Sequence, residues 1–207
     1  VSLIAGVHAG LQQAWAAAAR ARSTIASIGV DSWGVDYALV DGDGGLVEEP
    51  ICYRDDRTAG IMDGVFDVVP RDEIYARTGI QFMPFNTLFQ LAAHVRDGLP
   101  DRAAHALLVP DWCHQHLCGA IACERTDAST TQLLDARTHG WDDDLFARLG
   151  LPRALMPDIV DAGATLGRVR AGLCATLGIG PAAVVAPATH DTASAVVGTP
   201  LQPGWAY

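Results

Sequence analysis

The run Ala182-Ala-Val-Val-Ala-Pro187, followed closely by Thr189-His-Asp-Thr-Ala-Ser-Ala-Val196, reads as a buried strand that stops at a proline and turns into a helix. A strand fed directly into a helix is a building unit of α/β folds, whose ligands bind in the crevice at the strand C-termini. The unit places the carboxylate of Asp191 at that junction, where two readings are open. Asp is a preferred N-cap, so Asp191 either caps a helix over Thr192 to Gly198 or is held by nearby backbone N–H groups as a general base. A second segment, Ser27-Ile-Gly-Val-Asp-Ser-Trp-Gly-Val-Asp-Tyr37, runs a short apolar strand into Trp33-Gly34 and resumes with alternating character to Val40. Gly34 allows a ligand to approach the backbone and Trp33 offers a flat apolar face; the competing reading is an ordinary β-corner around a buried Trp.

The rest of the pattern supports α/β architecture. Leu3, Val7, Leu11 and Trp15 recur every four residues within Val1–Arg22, which predicts an amphipathic helix packing on a sheet. Strands are expected at Ser27–Asp31 and Val35–Val40, then a glycine-rich hairpin turn, Asp41–Gly45, and a third extended segment near Val47–Tyr53. Helical patterns run from Asp56 to Asp97, interrupted at Pro70, Gly79 and Pro84. Ala106–Val109 reads as a buried strand ahead of a helix that starts near Asp111, buries Trp112 and Cys113, and is capped by Gly119. A short helix over Asp142–Leu149, a turn-rich Pro152–Pro157, a strand within Ala162–Val169, a helix over Ala171–Leu177 and the strand Ala183–Pro187 complete the order.

Charge and composition exclude several functions. With 24 acidic against 14 basic side chains the net charge is −10, and no basic cluster is denser than Arg20-Ala-Arg22, so a nucleic-acid partner is not expected. The longest apolar stretch, Val1–Ala19, is broken by His8, Gln12 and Gln13 and lacks a basic start, so neither a signal peptide nor a membrane span is expected, and a cytoplasmic location follows. Five cysteines without scaffold spacing fit reduced thiols. The run Cys113-His-Gln-His-Leu-Cys118 with Cys123 lacks the paired Cys-x-x-Cys halves of a zinc site, so no metal is assigned to it.

Six segments, taken together and in order, resemble the FGGY carbohydrate kinases. They are Asp31-Ser-Trp-Gly-Val-Asp-Tyr37, Tyr53-Arg-Asp-Asp-Arg-Thr58, Gly79-Ile-Gln-Phe-Met-Pro-Phe-Asn-Thr-Leu-Phe-Gln-Leu91, Val109-Pro-Asp-Trp112, Thr126-Asp-Ala-Ser-Thr-Thr-Gln-Leu133 and Thr189–Val196. Where the broad family signature carries Lys and Trp, this chain has Thr87 and Gln90, a departure shared by the family branch that acts on L-rhamnulose.

The resemblance implies an actin-like, ribonuclease-H-like fold, of which residues 1–207 are the N-terminal domain without its opening hairpin and without the C-terminal domain. It implies ATP-dependent phosphorylation of the C1 hydroxyl of L-rhamnulose with Mg²⁺, Asp191 serving as base. Gly34, His190 and Thr192 are implied sugar contacts, with Trp33, Asp31, Asp36, Gln81 and Asn86 as secondary ones. Both phosphate loops of the family are missing from the sequence as given, so the segment alone is expected to be inactive. Two alternatives stay open, a kinase for another ketose or polyol and a sugar-binding remnant without catalysis. The run Tyr53–Arg57 either touches substrate or, as an Arg/Asp alternation more often does, forms a surface salt-bridge network, and the second reading is favoured.

Overall fold

A computed structural model describes residues 3–202, 204 and 205; Val1 and Ser2 of the expected first helix lie outside the described residues. In chain order the elements are α1 Leu3–Arg20, β1 Ser27–Ile28, β2 Tyr37–Val40, α2 Ile61–Val68, α3 Arg71–Thr78, α4 Thr87–Asp97, β3 His105–Leu108 and α5 Val109–Cys118. The second half contains β4 Cys123–Glu124, α6 Arg125–Thr130, α7 Asp143–Arg148, β5 Ile159–Val160, β6 Thr165–Arg168, α8 Ala171–Leu177, β7 Ala183–Val185 and α9 Asp191–Gly198. The fold is mixed α/β, as the sequence pattern predicts. Among the described residues no helix is long and apolar enough to cross a membrane.

Among the described residues three small sheets form: β1-β7-β6, β2-β3 and β4-β5. β1 and β7 run parallel, with Ser27 opposite Ala183 and Ile28 opposite Val184, and β6 lies antiparallel on the other side of β7. The expected strand Ser27–Asp31 is shorter than predicted for two reasons. Pro187 on the opposing line has no N–H to donate, and Val30 donates its own N–H to Nε2 of His114 instead of a ladder carbonyl. Pairing returns beyond that gap as the parallel bridge between Ser32 and His190.

The extended segment expected near Val47–Tyr53 also fails to form a strand. Pairing of the Asp41–Gly45 turn ends at the bridge between Val40 and Leu46 and the bond from Val47 N–H to the Leu39 carbonyl. Pro50 cannot extend a ladder, and the Tyr53 N–H is taken by the Asp36 carboxylate at 3.2 Å. β2 pairs instead with β3, in register Tyr37 to Leu108 and Val40 to His105. Helix α5 starts at Val109 because Pro110 fits the first turn, where no N–H is needed; Cys113 is buried as expected but Trp112 only half-buried.

Two apolar clusters hold these pieces. The larger includes Leu39 of β2, Leu108 of β3, Leu88, Phe89 and Leu91 of α4, and Leu145 and Phe146 of α7. In it Phe66 of α2 meets Phe89 edge-on, ring centroids 6.0 Å apart. The smaller joins Leu117 of α5, Leu177 of α8 and Val184 of β7, with Ile28 of β1 packed against it. Leu11 and Trp15 press α1 onto this second cluster, which is the packing its four-residue spacing predicts.

Candidate active site

The C-terminal ends of the two parallel lines are stitched together by backbone. Ser32 N–H donates to the Thr189 carbonyl at 2.8 Å, and Asp191 N–H donates back to the Ser32 carbonyl at 2.8 Å. Trp33-Gly34 and His190-Asp191, 156 residues apart or more in sequence (190 minus 34), thereby become neighbours. They share the wall of a cavity of about 410 Å³ with Gln81, Asn86 and Thr130.

Trp33 and Gly34 do not form an ordinary corner. Asp36 N–H donates to the Gly34 carbonyl at 3.0 Å across Val35, whose φ is +70°. That is a γ-turn of the rare positive-φ kind, strained for a β-branched residue by about 1–3 kcal/mol. Its polar groups are pinned from below: Val35 N–H donates to Oγ1 of Thr130 at 3.1 Å, and its carbonyl accepts from Oγ1 of Thr87 at 2.8 Å and Nε2 of Gln90 at 3.2 Å. Thr87 and Gln90, the two departures from the family signature, are therefore buried supports of the cavity wall.

Asp36 is buried behind the wall rather than on it. It accepts from Trp33 Nε1 at 3.0 Å, from Tyr53 N–H at 3.2 Å and from Gln90 Nε2 at 3.1 Å. These bonds set the indole plane. Trp33→Phe, which removes this N–H together with part of the flat ring face, is expected to weaken binding of the expected sugar by at least two- to tenfold by calorimetry, the about 0.5–1.5 kcal/mol of one hydrogen bond being the lower bound.

Of the other residues named from sequence, Gln81 and His190 line the cavity, as does Asn86. Asn86 is buried, and its amide donates to the Gln81 carbonyl and to Oε1 of Gln132, both at 2.9 Å, which leaves its carbonyl oxygen for a ligand. Asp31 and Thr192 are exposed and lie off the cavity wall; Thr192 Oγ1 donates to Asp191 Oδ1 at 3.3 Å. Asp191 lines the cavity with its side chain 55% exposed.

Asp191 is the first residue of α9, and the N-cap position is held by His190 without a side-chain cap bond. The capping reading of Asp191 is thereby corrected: the helix starts one residue earlier than expected. Beyond Thr192, its neighbour is Nε2 of His190 at 3.7 Å. The salt-bridge reading of Tyr53–Arg57 is corrected too. None of the described ion pairs involves these residues; Asp55 caps a short 3₁₀ turn, Arg57 bonds Oε1 of Gln90 at 2.6 Å, and Tyr53 joins the cavity wall edge-on to Phe85. Tyr53 thus follows the less favoured reading of its run, while Phe85 is a lining residue that sequence reading missed. Sequence reading also passed over Ser129 and Thr130, although the hydroxyl-rich run Thr126–Thr131 was a usable signal.

Under the floor lie three buried carboxyl groups, Asp111, Glu124 and Asp127. Asp127 is nearest the cavity: a Cβ placed on Gly34 would lie 3.0 Å from its Oδ1. Burial first, then the charges of Asp111, Glu124 and Asp191, hold the Asp127 carboxyl well above the usual range, and burial raises Asp111 to about 7. Burial lowers His114 to about 4. Among the described residues no group of three His, Cys, Asp or Glu is placed to hold a metal, and all five cysteines are free.

The raised carboxyls set a pH dependence. The folded state keeps a proton on Asp127 that the unfolded chain releases above about pH 4, so this group lowers stability progressively as pH rises from about 4 toward its folded value. His114 acts oppositely between about 4 and 6.5, where the unfolded chain binds the extra proton. Asp127→Asn should therefore gain stability relative to the parent as pH rises from 5 to 8. Urea midpoints that differ by the same amount at both pH values would contradict a protonated Asp127.

Residues 2–198 match the family model described as the FGGY family of carbohydrate kinases, N-terminal domain. The rhamnulokinase of Pectobacterium carotovorum subsp. carotovorum (strain PC1) is 49% identical over 178 residues, 85% of this chain and 35% of the relative. That of Yersinia pestis (strain Pestoides F) is 45% identical over 177 residues, 84% and 36% respectively. The chain thus spans about a third of the length of these curated relatives. Among solved structures, a xylulose kinase from Rhodospirillum rubrum superposes with a TM-score of 0.76 at 22% identity, covering 86% of this chain and 38% of that one. A carbohydrate kinase from Novosphingobium aromaticivorans gives 0.76 at 23%, covering 93% and 40%. These likenesses carry the actin-like fold, and the family match covers nearly the whole chain: it belongs to the FGGY family of carbohydrate kinases and carries the N-terminal domain of that family.

Proposed function

We propose that this chain supplies the sugar-binding and proton-accepting part of a cytoplasmic kinase that transfers the γ-phosphoryl group of ATP to the C1 hydroxyl of L-rhamnulose. The observation that carries this reading is the exposed carboxylate of Asp191 on the rim of a cavity of about 410 Å³, beside Gly34 and His190. The wall alternates flat apolar faces, Trp33 and Phe85, with amides, Gln81 and Asn86, which suits a ring bearing several hydroxyls. The choice of L-rhamnulose rests on the likeness to rhamnulokinases at 45–49% identity.

In the proposed step the sugar oxygen forms a bond to the γ-phosphorus while the bond to the ADP oxygen breaks, and the hydroxyl proton passes to the Asp191 carboxylate. Alignment of hydroxyl and phosphorus supplies much of the rate in such transfers, so the rigid pinning of the Trp33–Asp36 turn serves catalysis through binding geometry. ATP is the second substrate in this reading. No arginine lines the cavity and the chain contains no lysine, so the described residues offer no evident triphosphate cradle. Nor do they form a ligand set for Mg²⁺. Phosphorylation of L-rhamnulose, L-fuculose and D-xylulose by the complete protein tests the reading. L-rhamnulose should have the highest kcat/KM, and a preference for either competitor would reassign the sugar.

A further inference from the structure

We propose that Glu124, at the end of β4, is a positioning residue that fixes the orientation of Asp191. The proposal rests on the reading of Asp191 as base. Glu124 is 0% exposed, and every hydrogen-bond partner it has is a donor. Its Oε1 accepts from Thr126 N–H at 3.0 Å. Its Oε2 accepts from the Thr126 hydroxyl, from Thr189 N–H at 2.9 Å and from the Thr189 hydroxyl at 3.0 Å. The Thr126 hydroxyl in turn accepts from His190 N–H at 3.3 Å. One buried carboxylate thus holds, directly or through one hydroxyl, the two consecutive N–H groups that precede Asp191.

The Ser32 backbone clamps the same junction from the opposite side, on the Thr189 carbonyl and the Asp191 N–H. These clamps matter because α9 has no buried residue, so apolar packing does little to orient the helix that starts at Asp191. A buried carboxylate with no cation among its partners is a costly way to hold a loop, and neutral groups could do so at lower cost. What it offers is four charge-assisted bonds on a segment whose error in position is magnified at the reacting atoms, where 1 Å can cost about a hundredfold. The three segments involved, Glu124-Thr126, Ser32 and Thr189-His190, come from separate parts of the chain and are bonded to one another next to Asp191.

The test is a mutant cycle in the complete protein. Glu124→Gln keeps the shape and replaces one acceptor oxygen by a donor that faces donors. It should lower kcat about tenfold with sugar affinity within about threefold of the parent, because the lost alignment concerns the base. Combined with Asp191→Asn it should be no slower than Asp191→Asn alone, since a residue acting through the base has nothing further to position. Thr126→Val, which breaks the link to His190 N–H, should repeat the pattern more weakly and decides the matter if Glu124→Gln does not fold. An unchanged kcat beside a slow Asp191→Asn overturns the proposal alone, as does a multiplicative loss in the double variant or sugar affinity falling in step with kcat. Near-normal turnover of Asp191→Asn itself overturns the base reading and this proposal with it.

Discussion

Asp191→Asn in the complete protein is expected to slow sugar phosphorylation by on the order of 10²–10⁴-fold while the sugar still binds, because a general base acts in the transition state. The substitution is close to isosteric and disturbs little. Among the described residues the Asp191 side chain meets the Thr192 hydroxyl at 3.3 Å and the His190 ring at 3.7 Å, and it is 55% exposed. A capping role would give the opposite pattern: a loss of roughly 0.5–2 kcal/mol of stability and near-normal turnover. Steady-state kinetics and a melting curve on one variant separate the two. The start of α9 at Asp191, with His190 at the cap position, is why the kinetic outcome is expected.

Gly34→Ala should weaken sugar binding by about tenfold to a hundredfold, which corresponds to the roughly 1–3 kcal/mol typical of an overpacked site. A methyl at that position would lie 2.7 Å from Oγ1 and 2.8 Å from Cγ2 of Thr130, and 3.0 Å from Oδ1 of Asp127. None of these neighbours can easily yield. The Thr130 side chain is β-branched and committed to Val35 N–H and to the Asp127 carbonyl at 2.8 Å, while Asp127 is buried. The γ-turn would have to move instead, and Trp33 with it. Calorimetric titration with L-rhamnulose reads the change. Affinity equal to the parent would mean that the turn shifts without cost and that Gly34 is dispensable to the site. Thr130→Ser combined with Gly34→Ala should recover part of the loss, since it removes the methyl that crowds the new Cβ while keeping the hydroxyl that holds Val35.

Much of the architecture was legible because it is written in local periodicity. Helix α8 matches the expected Ala171–Leu177, the breaks at Pro70 and Gly79 bound α3, and the apolar four-residue spacing of α1 marks the face that packs. Misreadings fell where a side chain took over a backbone partner. The Asp36 carboxylate claims the N–H of Tyr53, so no strand follows the Asp41–Gly45 turn, and His114 claims that of Val30, so β1 stops early. Such captures join residues 17 and 84 positions apart and leave no trace in a short sequence window.

The candidate site divides the same way. That Asp191 opens a helix after a strand, and that a glycine follows Trp33, are properties of adjacent residues and were visible in the chain itself. Which residues line the cavity was decided only by tertiary structure. Ser32 joins the two strand ends, Asp36 turns inward to hold Trp33, and Thr130 comes up beneath Gly34. The reason is physical: strand and helix propensity act over a few neighbouring residues, whereas buried carboxyl and hydroxyl groups choose partners wherever packing removes water, and that is settled only when the whole chain has closed around them.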